Sequence, residues 1–215
     1  MKKTLIDMNT YRRRAHFDYF RTLAYPYVGV TAEVDITAFR RATKEKGRNF
    51  FHSVLWCAAQ AANQIPELRQ RQAGDHIAEY DFCMTSHTVA CADETYVYCD
   101  LDANCAYEDF LPYAAREQEL ARTGGDIDRE PQDEEGMFFV STLTQLSYTA
   151  LVQPVPMPAD SNPRITFGKF FEREGKLLLP VSLLCNHALV DGRHIAQFYE
   201  NLNAKMQEIV EMLEG

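Results

Sequence analysis

The run Asn186-His187-Ala188-Leu189-Val190-Asp191-Gly192 holds the side chains of this sequence best suited to chemistry. Imidazole titrates near neutral pH, so a histidine on a loop between rigid elements can take a proton from a hydroxyl and return it later, as a general base does. Asp191 precedes Gly192 where a long helix opens, the place of a helix cap. On spacing alone a plainer role fits as well: a loop histidine satisfied by backbone, ahead of an aspartate that only caps. Cys185 lies two residues before His187, but no motif activates it, and it reads as a thiol packed in a strand. His194 and His16 read as structural.

Competing chemistries lack their signatures. The chain has no His-Glu-x-x-His for zinc, no Gly-x-Ser-x-Gly nucleophile elbow, no Gly-x-x-x-x-Gly-Lys phosphate loop and no Gly-x-Gly-x-x-Gly fingerprint. No metal is expected.

The elements that must carry His187 are legible on both sides of it. Leu177 to Leu184 is apolar enough to lie inside a sheet, with Pro180 hinting at an edge or bulge. It pairs with Arg164 to Glu172 as a hairpin across Glu174-Gly175. After Gly192, apolar residues recur at three and four (Ile195, Phe198, Tyr199, Leu202, Met206, Ile209, Val210, Leu213), which predicts a long helix.

Upstream, Asn9-Thr10 is expected to cap a helix over 11–20, Val28 to Ile36 to form a strand, and Asp35 or Thr37 to cap a helix that Gly47 stops. Asn49 opens a nearly all-apolar helix that Pro66 closes. Ile77 to Leu101 shows a period of two and reads as an antiparallel patch, followed by a helix over 107–122 ended by Gly124-Gly125. The acidic run Asp126 to Gly136 reads as a solvated loop, and Met137 to Leu143 as a strand entering the core. This order of strands and helices predicts an α/β (α+β) two-layer sandwich, a mixed sheet flanked by helices.

The 215 residues are 46% hydrophobic and 12% aromatic, which suits one domain over 1–215 with a core large enough to need no staples. The net charge of -9 argues against nucleic acid as a partner. No apolar run approaches the roughly 18 residues of a membrane span, and no export segment is evident, so a cytoplasmic location is expected. The six cysteines form no C-x-x-C pair and read as reduced thiols.

Read as a whole, Asn186 to Phe198 closely resembles the active-site signature of the trimeric chloramphenicol acetyltransferases. Arg13-Arg14-Ala15-His16-Phe17, Val34-Asp35-Ile36-Thr37, Gln60 to Gln64 with Glu67-Leu68-Arg69, and Glu174 to Pro180 match the family in order over nearly the whole chain. Dihydrolipoyl acyltransferases share the shorter His-x-x-x-Asp-Gly signature but also carry lipoyl and linker segments. The resemblance implies a homotrimer with sites between neighbours, acetyl-coenzyme A as co-substrate and a small hydroxyl acceptor such as chloramphenicol. It also implies His187 as general base, Ser141 as oxyanion donor, and Asp191 paired with Arg13 in a structural role. Tyr19, Phe20, Ala24, Tyr96 and Gln145 fall where relatives line the antibiotic pocket, and Thr166, Lys169 and Phe170 on the strand facing acceptor and coenzyme.

The sequence departs from the pattern in three places. Asn186 replaces the histidine that usually precedes the base, Phe20 a tyrosine and Gln145 a tryptophan. Two alternatives therefore stand beside chloramphenicol: a same-fold acetyltransferase for another hydroxyl, amine or thiol, and a non-catalytic trimer that sequesters an apolar ligand.

Overall fold

A computed structural model describes residues 1–124 and 134–215. Two sheets organise the chain. The smaller joins β1 (Lys3–Leu5), β4 (His76–Tyr80) and β3 (Gln70–Ala73), all antiparallel. The larger follows β2 (Tyr27–Asp35), β10 (Lys176–Asn186), β8 (Arg164–Gly168), β7 (Met137–Leu143), β5 (Met84–Ala90) and β6 (Tyr96–Leu101), and β9 (Phe171–Arg173) adds to β10. Its β5–β7 and β7–β8 pairs are parallel and the others antiparallel, which gives the mixed sheet expected from the sequence.

One side of this sheet is apolar. Val140, Ile165, Val181 and Leu183 lie on it and are fully buried, alongside the helices α2 (Thr37–Glu45), α3 (Phe50–Asn63), α4 (Tyr107–Gly124) and α5 (Gly192–Glu214). The alternation of a strand with one wet face puts short polar side chains opposite. Ser141 pairs with Thr166, Thr166 with Ser182 and Ser182 with Thr31, so four hydroxyl residues form a row across four strands. Tyr148 of the connecting segment closes over this row, donating to the Thr166 carbonyl at 2.9 Å.

Several boundaries differ from the sequence reading, each for a physical reason. The first helix, α1 (Arg14–Phe20), starts later than expected because Asp7 draws residues 7–10 into a turn, accepting from the Asn9 and Thr10 N–H groups. Arg13 sits at the cap position without capping, which leaves its guanidinium for another partner. His76–Tyr80 belongs to the small sheet rather than to the patch built by β5 and β6.

The 164–172 strand is interrupted at Lys169-Phe170. The Lys169 N–H donates to the Leu146 carbonyl and its carbonyl accepts from Ser147, so neither group joins the β10 ladder. Pro180 lies opposite this gap, where no backbone donor is required, which is how a proline sits inside an interior strand. Asn49 caps α3 as expected, accepting from the His52 N–H at 3.0 Å. Most of the acidic run at 126–136 lies outside the described residues. Among the described residues no helix is long and apolar enough to cross a membrane.

Candidate active site

His187 stands just past the end of β10, where the Pro26 carbonyl accepts its backbone N–H at 2.7 Å. Its Nδ1 lies 2.8 Å from the Val190 carbonyl oxygen. A carbonyl can only accept, so Nδ1 carries the proton and Nε2 presents a lone pair. The Phe20 ring stacks on the imidazole with centroids 3.9 Å apart and planes at 26°, which fixes the ring plane. Tyr19 meets Phe20 edge-on at 5.0 Å.

Behind the base, Asp191 does two jobs. As the cap of α5 it accepts from the Arg193 N–H at 3.0 Å, while His194 Nδ1 accepts the Asp191 N–H at 3.1 Å, a reciprocal cap. Its other oxygen takes a charge-assisted hydrogen bond from Arg13. Burial alone would raise this carboxyl, but the Arg13 bond, the neighbouring His194 and the Arg13 charge outweigh it and hold Asp191 below the usual carboxylate range. Arg13 thereby ties the start of α1, and with it Phe20, to the start of α5.

Ser141 lies elsewhere. It lines a cavity of about 430 Å³ on the open face of the sheet, with Ser86, Thr88, Tyr96, Tyr98, Phe139 and Arg164 in the same wall. Arg164 is held by Asp160 at 2.7 and 2.9 Å, and Asp160 also accepts from the Tyr27 hydroxyl at 2.8 Å. Register gives the separation of the two ends. Ser141 is level with Ser182 through Thr166, and His187 lies five residues beyond Ser182. That is about 16 Å along the strand and two strand spacings of about 4.8 Å across, too far for one small substrate to meet both.

A family model described as chloramphenicol acetyltransferase matches residues 1–203. Chloramphenicol acetyltransferase 2 of Escherichia coli is 30% identical, with 98% of this chain and 100% of that protein covered. A chloramphenicol acetyltransferase of Bacillus pumilus is 29% identical over 97% of this chain and 95% of its own. A solved chloramphenicol acetyltransferase superposes with a TM-score of 0.83 at 23% identity, covering 95% of this chain and all of that one.

The chain belongs to the chloramphenicol acetyltransferase family. It is accordingly an acyltransferase with that family's mixed-sheet fold.

Within one chain the residues singled out from this family's pattern fall into three groups. His187, Phe20, Tyr19, Asp191 and Arg13 meet at the end of β10, and Ala24 lies exposed in the turn leading to β2. Ser141 and Tyr96 share the sheet-face cavity, and Thr166 is buried beside Ser141. Gln145 and Lys169 are exposed near the far end of β8, and Phe170 packs edge-on against Phe50 at 5.7 Å.

Sequence reading missed the Tyr27–Asp160–Arg164 cluster and the part Asn186 plays beside it, since Asp160 is brought to Tyr27, 133 residues away, and to Asn186, 26 residues away, only by tertiary folding. The Ser86, Thr88 and Tyr98 wall was readable from strand alternation on β5 and β6. Cys185 is fully buried and burial pushes its thiol up, which makes it inert as a nucleophile.

Proposed function

We propose that this protein transfers the acetyl group of acetyl-coenzyme A to a hydroxyl of chloramphenicol, in a site shared by two copies of the chain. The observation that carries the reading is the His187 tautomer: with Nδ1–H donated to Val190, Nε2 is the basic nitrogen. Nε2 accepts the hydroxyl proton as the oxygen attacks the thioester carbonyl. The Ser141 hydroxyl of a neighbouring copy donates to the resulting oxyanion. Collapse breaks the carbon–sulfur bond, and the coenzyme thiolate takes the proton back from the imidazolium. Both substrates are held together, so the positional advantage of a ternary complex supplies much of the rate.

The roughly 19 Å between Ser141 and His187 in one chain, estimated from strand spacing, supports assembly of the site from two copies, and the family resemblance supports a homotrimer. Tyr19, Phe20, Ala24, Tyr96 and Gln145 are assigned to the acceptor side, with Thr166, Lys169 and Phe170 along the strand that faces acceptor and coenzyme. A cytoplasmic location fits this use of a coenzyme.

The polar wall of the Ser141 cavity, with Tyr98 and Arg164 beside Tyr96, favours one second reading: a same-fold enzyme for a more polar hydroxyl, amine or thiol acceptor. Release of free coenzyme A thiol by purified protein, measured with chloramphenicol and with a panel of other acceptors, tests both. Chloramphenicol-dependent release is expected. Release with another acceptor and none with chloramphenicol would favour the second reading, and release with none would remove both.

A further inference from the structure

The turn that orients His187 is built around its neighbour. Asn186 is almost fully buried, and a buried amide must satisfy both its oxygen and its NH2 group. Its Oδ1 accepts the Ala188 N–H at 3.0 Å, an Asx turn closed over His187. Its Nδ2 donates to the Asp160 carbonyl at 2.8 Å. The Asn186 backbone carbonyl accepts from Leu189 at 3.1 Å and Val190 at 3.0 Å. The chain from 188 to 190 is thus gripped from both ends of one residue, and the Val190 carbonyl is delivered to His187 Nδ1.

The grip has an external anchor. Asp160 is held by Arg164 and by the Tyr27 hydroxyl, and Pro26, next to Tyr27, accepts the His187 N–H. A closed circuit of bonds runs from Asn186 through Asp160, Tyr27 and Pro26 back to His187.

We propose that Asn186 is a positioning residue for His187, fixing which imidazole nitrogen carries the lone pair by holding the Asx turn against the Asp160 carbonyl. The catalytic consequence rests on the reading of His187 as general base. No other residue type of this size supplies both the acceptor and the donor. An aspartate keeps the Asx turn but sets a carboxylate against the Asp160 carbonyl, and an alanine releases both bonds.

The test uses the full chain with 15N-labelled histidine, with circular dichroism to confirm folding. At pH 8 the wild-type His187 is expected to show the Nδ1–H tautomer. Asn186→Ala is expected to show a mixture of tautomers, with kcat reduced about 10- to 100-fold, as expected for a small misplacement of a catalytic group, and KM within about threefold. Asn186→Asp should shift the tautomer in the same direction by less, and it carries the test alone if the alanine variant does not fold. An unchanged tautomer in the folded variants would overturn the proposal, even if kcat fell. A shifted tautomer in protein that transfers no acyl group would uphold the positioning and count against the acyltransferase reading.

Discussion

At His187 the imidazole nitrogens are differentiated by a single acceptor, the Val190 carbonyl, and by a flat neighbour, Phe20, that leaves the ring one plane. His187→Ala removes the only group assigned to take the hydroxyl proton, so kcat should fall about 10²- to 10⁴-fold, the usual worth of a positioned base. Thiol release checks this, and retention of most of the rate would remove His187 from the mechanism. Ser141→Ala should lower kcat about 10²- to 10³-fold with little change in KM, because an oxyanion donor acts on a charge that exists only in the transition state. A rise in KM at constant kcat would make Ser141 a binding residue instead. At this scale His187 and Asp191 were readable because both lie in one short local motif. Asn186, by contrast, appeared only as a departure from a family pattern. Its partner Asp160 is brought to it by tertiary folding, which no local pattern encodes.

The cap of α5 and the buried contact where α3, α4 and β5 meet each bear on the stability of the fold. Asp191→Asn keeps an oxygen for the Arg193 N–H, whereas Asp191→Ala loses the cap as well as the Arg13 bond. Thermal unfolding should therefore place the alanine variant about 1 kcal/mol below the asparagine variant. At that buried contact, the Gln118 oxygen accepts from His52 Nε2 at 3.0 Å and from His87 Nε2 at 3.4 Å. Burial pushes His87 down to about 4 and lowers His52 as well. Both imidazoles are thus neutral in the folded chain, while the unfolded chain takes up protons near pH 6.5. Stability should accordingly be full above that value and drain away as pH falls toward 4, with His87 accounting for about 2 kcal/mol by pH 5. The thermal midpoint should drop between pH 7 and pH 5 and drop less in His87→Gln, and equal drops would refute the assignment. Helices α3 and α5 were legible from capping residues and periodicity, whereas at α2 the cap position falls on Ile36, which has no capping side chain, and not on Asp35 or Thr37. The break at Lys169-Phe170 was not, because it depends on Leu146 and Ser147 capturing the Lys169 backbone groups from a distant loop.

Across the whole molecule, the sequence indicated a mixed sheet with helices beside it, and the structure and the family match agree. The separation of Ser141 from His187 could not be read from sequence, since it depends on the register that sets Ser141 beside Thr166 and Thr166 beside Ser182. The same register supplies the most direct test. A chain bearing His187→Ala and a chain bearing Ser141→Ala should each be nearly inactive alone. Unfolded together and reassembled in equal amounts, they should recover about one quarter of wild-type thiol release, because an interface draws an intact histidine side and an intact serine side each with even odds. Recovery near that level confirms that the base of one copy works beside the hydroxyl of another. A reassembled mixture no more active than its two parents, under conditions where wild-type chains regain activity, would contradict it.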